Sequence, residues 1–336
     1  MNNLLKKYNI KEYNITEKNN DIYIGEKQEQ RCKFCGLAKG EKIYINNKEV
    51  EVKFKKVAHA IPHLLGNNKV FSNEECDICN QYFSGLENDL GNFLIPFRSI
   101  FNLKGKRGNK YKANQIEITN NNDCIFINEI KRKDNNENAF KIDFTNNTAT
   151  LKLQNYKYIP SNVYRTFIKI ALSLSPVDIC KRLNLYRDYL MDINMKSIPN
   201  MFISVFYIPG MNKDKKLIVR HMIRKDSDVR YPLVILSVRI SSLQFTISLY
   251  EKNYYPMVKK MIVEIPEIDE YQKENMLFPE NLGTISFHSN DKVSSNFEIP
   301  FSYGEIEILD LKNENYEKIK NMSIDEILKL AKKRKS

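Results

Sequence analysis

Two C-x2-C pairs, Cys32-Lys33-Phe34-Cys35 and Cys76-Asp77-Ile78-Cys79, hold four of the six cysteines. Each pair can bend around one ion through a tight knuckle, and Gly36 supplies permissive backbone directly after the first. Together they offer four thiolates to a tetrahedral Zn²⁺. Such a site has no open coordination position, so its expected work is to staple the fold and not to catalyse. The other reading is a set of reduced thiols with no metal. Cys124 and Cys180 stand alone among apolar residues and read as core.

Two of the four histidines, His59 and His63, lie between these pairs, in Val57-Ala58-His59-Ala60-Ile61-Pro62-His63-Leu64-Leu65-Gly66-Asn67. Asn73 comes next, then Cys76-Asp77-Ile78-Cys79-Asn80, Phe83, Leu86 and Glu87. A histidine, x-x-Pro, a Gly/Asn loop and then C-x2-C-Asn opening a helix resembles the HNH (ββα-metal) endonuclease family, in its zinc-stapled branch. The likeness runs from about Cys32 to Phe93. It implies a metal-dependent phosphodiester hydrolase, most naturally one acting on double-stranded DNA. By resemblance His59 is the general base, Asn80 a ligand of a catalytic Mg²⁺ or Mn²⁺, and Asn73 the middle asparagine that fixes the histidine loop. Neutral histidine suits that task near neutral pH, and a hard cation stabilises the leaving oxygen. The family pattern usually carries Asp or Glu before the catalytic histidine, and here that residue is Ala58. Glu87 is the candidate replacement ligand, although it lies two helical turns from Asn80, about 11 Å along the axis. Asp89 and His63 are further candidates. His63 can also be a phosphate contact or a plain surface residue. Asn80 can also be a simple helix cap. A non-catalytic zinc module that binds nucleic acid or serves as an adaptor fits the same cysteines.

The elements that must position these groups are an α+β set. Residues 1–103 are expected to form the ββα-metal domain with its structural zinc. Residues 104–336 are expected to form a mixed α+β domain rich in antiparallel strands, with a regulatory, sensing or nucleic-acid-binding role. The first 30 residues are mostly polar and are expected to be ordered by packing on the cysteine-bearing segment after them. The boundary is placed at the basic, Gly-punctuated stretch from Lys104 to Lys112. Short alternating runs predict strands over 116–119, 125–130, 140–144, 148–153, 201–208, 216–222, 233–240, 244–249, 261–265, 284–288 and 304–309. A stripe of Val163, Phe167, Ile170 and Leu174 predicts a helix from Ser161 to before Pro176. A second helix is expected over 177–193, and a last one opens at Ser323 with Glu326 in a capping box. The segment from Tyr158 to Leu174 resembles the region after the nuclease domain in stand-alone bacterial HNH proteins, some of them anti-phage defence nucleases.

Lys and Arg number 53 against 41 Asp and Glu, a net charge of +12 that favours encounter with polyanions. Part of that excess accompanies a general Asn/Lys/Ile bias. Lys131, Arg132 and Lys133 form a second basic cluster that reads either as phosphate contacts or as a solvated loop. No apolar run reaches the ~20 residues needed to span a bilayer, and the first 20 residues hold no apolar leader. A cytoplasmic protein with no membrane partner is expected, and there six cysteines favour metal over disulfides. A nuclease module of this kind contacts mainly backbone phosphate, so specificity or control is expected beyond residue 104. A homodimer, an activating ligand or a partner protein are the open routes.

Overall fold

The computed structural model describes residues 5–15, 20–27, 30–45, 47–101, 103, 110–113, 116–120, 125–129, 140–192, 194–207, 217–251, 280–302 and 326. Its first half runs β1 (Tyr8–Asn14), β2 (Ile22–Ile24), β3 (Lys42–Ile45), β4 (Lys48–Glu51), β5 (Ala58–His59), β6 (Val70–Ser72) and the long helix α1 (Asp77–Ile100). Strands β7 (Lys110–Ala113), β8 (Ile116–Asn120), β9 (Ile125–Glu129), β10 (Phe140–Asp143) and β11 (Thr148–Gln154) come next. Then come α2 (Pro160–Leu174), α3 (Val177–Arg182), α4 (Asn184–Met191), β12 (Phe202–Tyr207), β13 (Leu217–Arg224), β14 (Val234–Ile240), β15 (Leu243–Leu249), β16 (Glu280–Ser286) and β17 (Asn296–Ser302). The fold is mixed α+β, with antiparallel sheets and four clustered cysteines that can hold a metal. Among the described residues no helix is long and apolar enough to cross a membrane.

The chain divides into two units, one of residues 1–139 with 152–298 and one of residues 140–151 with 299–336. The smaller is built on the β10–β11 hairpin, in register from Phe140↔Leu151 to Asp143↔Thr148. The division does not follow the boundary expected near residue 103, and the reason lies in pairing. Strand β1 joins β13 antiparallel, from Tyr8↔Arg224 to Asn14↔Ile218, as the edge of a six-stranded sheet ordered β1-β13-β14-β15-β12-β16. An unbroken exposed run from Asn9 to Glu12 hides β1 from any alternation rule, because an edge strand can be held by its ladder more than by burial.

One face of that sheet is apolar and covered by helices. Phe93 and Phe97 of α1 and Phe167 of α2 gather around Phe245, with centroids 5.9, 6.1 and 6.3 Å away. The opposite face carries a polar cross-strand row through Glu12, Arg220, Ser237, Thr246, Ser204 and Thr284, of which Ser237 and Thr246 are buried. Helix α1 therefore begins at the cysteines and ends inside the core of the six-stranded sheet.

Helix α2 starts with Pro160 at its first position, where proline's fixed φ and missing N–H cost nothing. Asp89 of α1 supplies the cap, accepting from Ile159 N at 2.9 Å and Asn162 Nδ2 at 2.8 Å. The helix ends before Pro176, with Ser175 in the extended conformation that a following proline favours. The single helix expected over 177–193 is two helices, α3 and α4, broken at Leu183 (φ −97°, ψ 29°). The break turns Tyr186, Tyr189 and Leu190 inward, and α4 packs on α2. The strand expected at 261–265, most of that at 304–309 and of the helix opening at Ser323, and the basic clusters at 104–109 and 131–133 lie outside the described residues.

His221 lies on the helix-covered face. Ser175 Oγ donates to Ala171 O at 2.8 Å and so accepts from His221 Nε2 at 2.9 Å. Burial, helped by Lys33 and Lys11 and opposed by the Ala171 carbonyl, lowers this imidazole from 6.5 to about 4. A base depressed on folding contributes stability that is fully present above its unfolded value and is lost as pH falls through the folded one. The free energy by which wild type exceeds His221→Gln should therefore shrink by about 3 kcal/mol between pH 7.5 and pH 4. Urea melts of both proteins at each pH check this, since contributions common to both cancel. A constant difference refutes it.

Candidate functional site

The first cysteine knuckle is closed by Cys32 N donating to Leu37 O at 2.9 Å and Gly36 N to Cys32 O at 2.8 Å. Gly36 has φ +75°, with nothing within 4 Å of where a Cβ would sit, so glycine is required there by conformation and not by space. The second pair opens α1, where Cys76 is the N-cap and its sulfur accepts from Cys79 N at 3.5 Å. Phe34 of the first knuckle packs edge-on against Phe83 of α1 at 4.7 Å.

All four sulfurs lie within 4.8 Å of one another. Cys32 Sγ is 3.7 Å from Cys79 Sγ, and Cys35 Sγ is 3.8 Å from Cys76 Sγ. Zn–S bonds of ~2.3 Å in a tetrahedron put sulfurs ~3.8 Å apart, so the cluster fits Zn²⁺. Hydrogen bonding to Cys35 holds the Cys32 thiol below its ordinary value, while bonds from Cys32, Cys35 and Cys76 push Cys79 far above it. Without a cation, one proton stays in the cluster, and metal binding displaces it.

The histidine strand is short. Ala58 pairs with Ser72 and His59 with Phe71, making β5 the edge of a three-stranded sheet ordered β2-β6-β5. Ala58 and Ala60 are wholly buried, while His59 between them is half-buried. The His59 ring lies 5.4 Å from that of His63 and 5.1 Å from that of Phe71.

The loop between β5 and β6 is organised by Asn67, which no sequence motif singled out. Its Nδ2 donates to Ile61 O and Val70 O at 2.5 and 2.9 Å, and its Oδ1 accepts from Lys69 N and Val70 N at 3.0 and 2.9 Å. The residue is completely buried. Asn73, expected to brace this loop, instead donates from Nδ2 to Gly25 O at 3.0 Å and from its backbone to Ile24 O, tying β6 to β2. The signal that could have found Asn67 is its place after Gly66, which ends a 3-10 turn with φ +92°. Asn67→Ala should cost about 3 kcal/mol, because it leaves buried backbone groups without partners, whereas Asn73→Ala should cost under about 1 kcal/mol. Thermal melts of the two variants test this ranking, and the reverse order would refute it.

Asn80 is half-buried in the first turn of α1, its N–H donating to Cys76 O at 2.9 Å and its carbonyl accepting from Ser84 Oγ at 2.9 Å. Glu87 and Asp89, the candidate substitutes for the acid missing at Ala58, are engaged elsewhere. Asp89 caps α2. Glu87 Oε1 is 3.7 Å from Lys169 Nζ of α2. That ammonium also lies 3.4 Å from Glu75 Oε2 and donates to the carbonyl of His59. Burial pushes the Glu75 carboxyl up to about 7, with Lys169 offsetting part of the shift, and pushes Glu87 upward for the same reason.

A second lysine works in the opposite direction. Lys33, inside the first knuckle, donates to Ser173 O and Ser175 O at 3.2 and 3.0 Å and pairs with Glu74 at 2.6 Å. A cation thereby meets the C-terminal carbonyls of α2. The sequence signal for Lys169 was its isolation in Phe167-Ile168-Lys169-Ile170-Ala171-Leu172, since a lysine amid buried apolar residues needs a partner.

No protein-family model matches the chain, nor does any curated protein or solved structure.

Proposed function

We propose that this chain is a zinc-stapled, metal-dependent endonuclease of the HNH type that hydrolyses phosphodiester bonds in DNA, with His59 as general base. The observation that supports it most is an order of elements. A half-buried histidine stands on the first of two short antiparallel strands, and the second leads into a helix whose first turn holds two of the four clustered sulfurs. A zinc there would hold the two cysteine segments together, keeping the histidine strand at a fixed place relative to the start of α1.

In this reading His59 takes a proton from a water molecule whose oxygen attacks phosphorus, and the phosphorus–oxygen bond to the leaving sugar breaks as the new one forms. A Mg²⁺ or Mn²⁺ ion, held with the help of Asn80, supplies the charge that steadies the pentavalent phosphate and the departing oxygen. His63, beside His59, contributes a phosphate contact. Lys55 and Lys56 are exposed just before β5, and Asp77 at the start of α1 anchors their backbone N–H groups at 3.1 and 2.9 Å. That places a basic turn next to the first turn of α1, where a phosphate backbone can run along it.

A second reading, a zinc module that binds nucleic acid without cutting, is favoured by Ala58 and by the pairing of Glu87 with Lys169. Supercoiled plasmid separates the two. Nicking with Mg²⁺ or Mn²⁺, and none when the cation is withheld, supports the nuclease. A mobility shift with no cutting under either cation supports the binder and overturns the proposal.

A further inference from the structure

We infer that Lys169 is a positioning residue for His59, so that the site is competent only when α2 is seated against it. The inference rests on the assignment of His59 as general base. Strand β5 is two residues long and lies at a sheet edge, so pairing with β6 alone fixes it weakly. Lys169 Nζ supplies the missing hold by donating to the His59 carbonyl. Its own position is fixed by Glu75 on one side, Glu87 on another and the Phe83 ring at 5.8 Å.

The lysine is 1% exposed and the Glu75 side chain fully buried. Burying such charges costs more than an apolar trio of the same volume would, so stability alone is a poor reason for them. Geometry is the better one. The ammonium ties β5, the residue preceding the Cys76 cap and the middle of α1 to one atom of α2. Lys33 fixes the other end of α2 to the first knuckle, so the helix is clamped to the cysteine-bearing part at two points. Displacing α2 would release the histidine backbone.

The test must separate positioning from folding, because Lys169→Met alone strands two buried carboxylates. The informative protein is Lys169→Met combined with Glu75→Gln and Glu87→Gln, which removes the charges and the donor together. It should retain its zinc and bind a fluorescent DNA duplex within about threefold of wild type, while cleavage falls by ~10²-fold, as a misplaced reacting group requires. Lys169→Arg, which keeps a donor and a charge, should recover part of that rate. With only four histidines in the chain, the ring resonances of His59 can be followed by NMR without substrate. They should move in the triple variant, while those of His221 and His288 stay in place. Unmoved His59 resonances, or wild-type cleavage in a zinc-replete triple variant, overturn the inference. If wild type itself does not cut under either cation, the nuclease reading falls, and the ring resonances alone decide whether Lys169 holds the strand.

Discussion

Cys32→Ser will leave the cysteine-bearing part of this protein unfolded, and a chelator that strips zinc will do the same to the wild type. A structural zinc contributes an apparent ~10–16 kcal/mol at neutral pH, which matches or exceeds the ~5–15 kcal/mol that keeps a whole domain folded. Here the four sulfurs come from two segments, one a knuckle with little secondary structure and the other the first turn of α1. Without the metal, the knuckle keeps the Lys33 N–H bond to Glu74 O, the Lys33 contacts with α2, and the Phe34–Phe83 packing. Those contacts are each worth about 1 kcal/mol and do not replace four metal bonds. The damage should spread, because α1 continues into the aromatic core around Phe245. Elemental analysis should find one zinc per chain in wild type, and circular dichroism melts should show an early or missing transition in Cys32→Ser. A zinc-free wild type, or a variant melting with the wild type, ends the structural-zinc assignment.

The cysteine cluster was legible because ligand spacing is a local property: two residues between thiols suffice for a knuckle whatever surrounds them. Helix α2 was legible for a similar reason, since its stripe and its two prolines are read within one window. What escaped depends on distant partners. Strand β1 shows no alternation, and what defines it is a ladder to β13 more than 200 residues away. Asn67 and Asn73 are six residues apart and alike in composition, and only the path of the loop decides which one is enclosed by four hydrogen bonds. Glu87 was read on helix geometry alone, as a residue on the Asn80 face. Its carboxylate is oriented instead by an ammonium from α2 that no spacing within α1 could reveal. The expected boundary near residue 103 failed to coincide with the division of the chain for the same cause. Composition changes there, but β1, α1 and the two lysine clamps all cross it.

His59→Ala should abolish metal-dependent nicking while leaving zinc content and melting close to wild type. The side chain is half-buried, and its ring touches His63 and Phe71 at ordinary packing distance, so truncation removes little core. What holds β5 in place is backbone: the pairing with Phe71 and the carbonyl that accepts from Lys169. Both survive the change, as does the loop brace from Asn67. The lost group is the one assigned to take the proton from water, and removal of a general base costs ~10²–10⁴-fold in rate. His63→Ala should be much milder, since a phosphate contact stabilises binding without moving a proton, and its effect should appear in DNA affinity more than in the cleavage rate. The pair of variants is therefore the sharpest comparison the site offers. Single-turnover nicking at saturating Mg²⁺ isolates the chemical step, with duplex affinity measured alongside. If His59→Ala cuts within a few-fold of wild type while His63→Ala is the inactive protein, the base is His63 and the role of β5 has been misassigned. If both variants cut like wild type, neither histidine is the base.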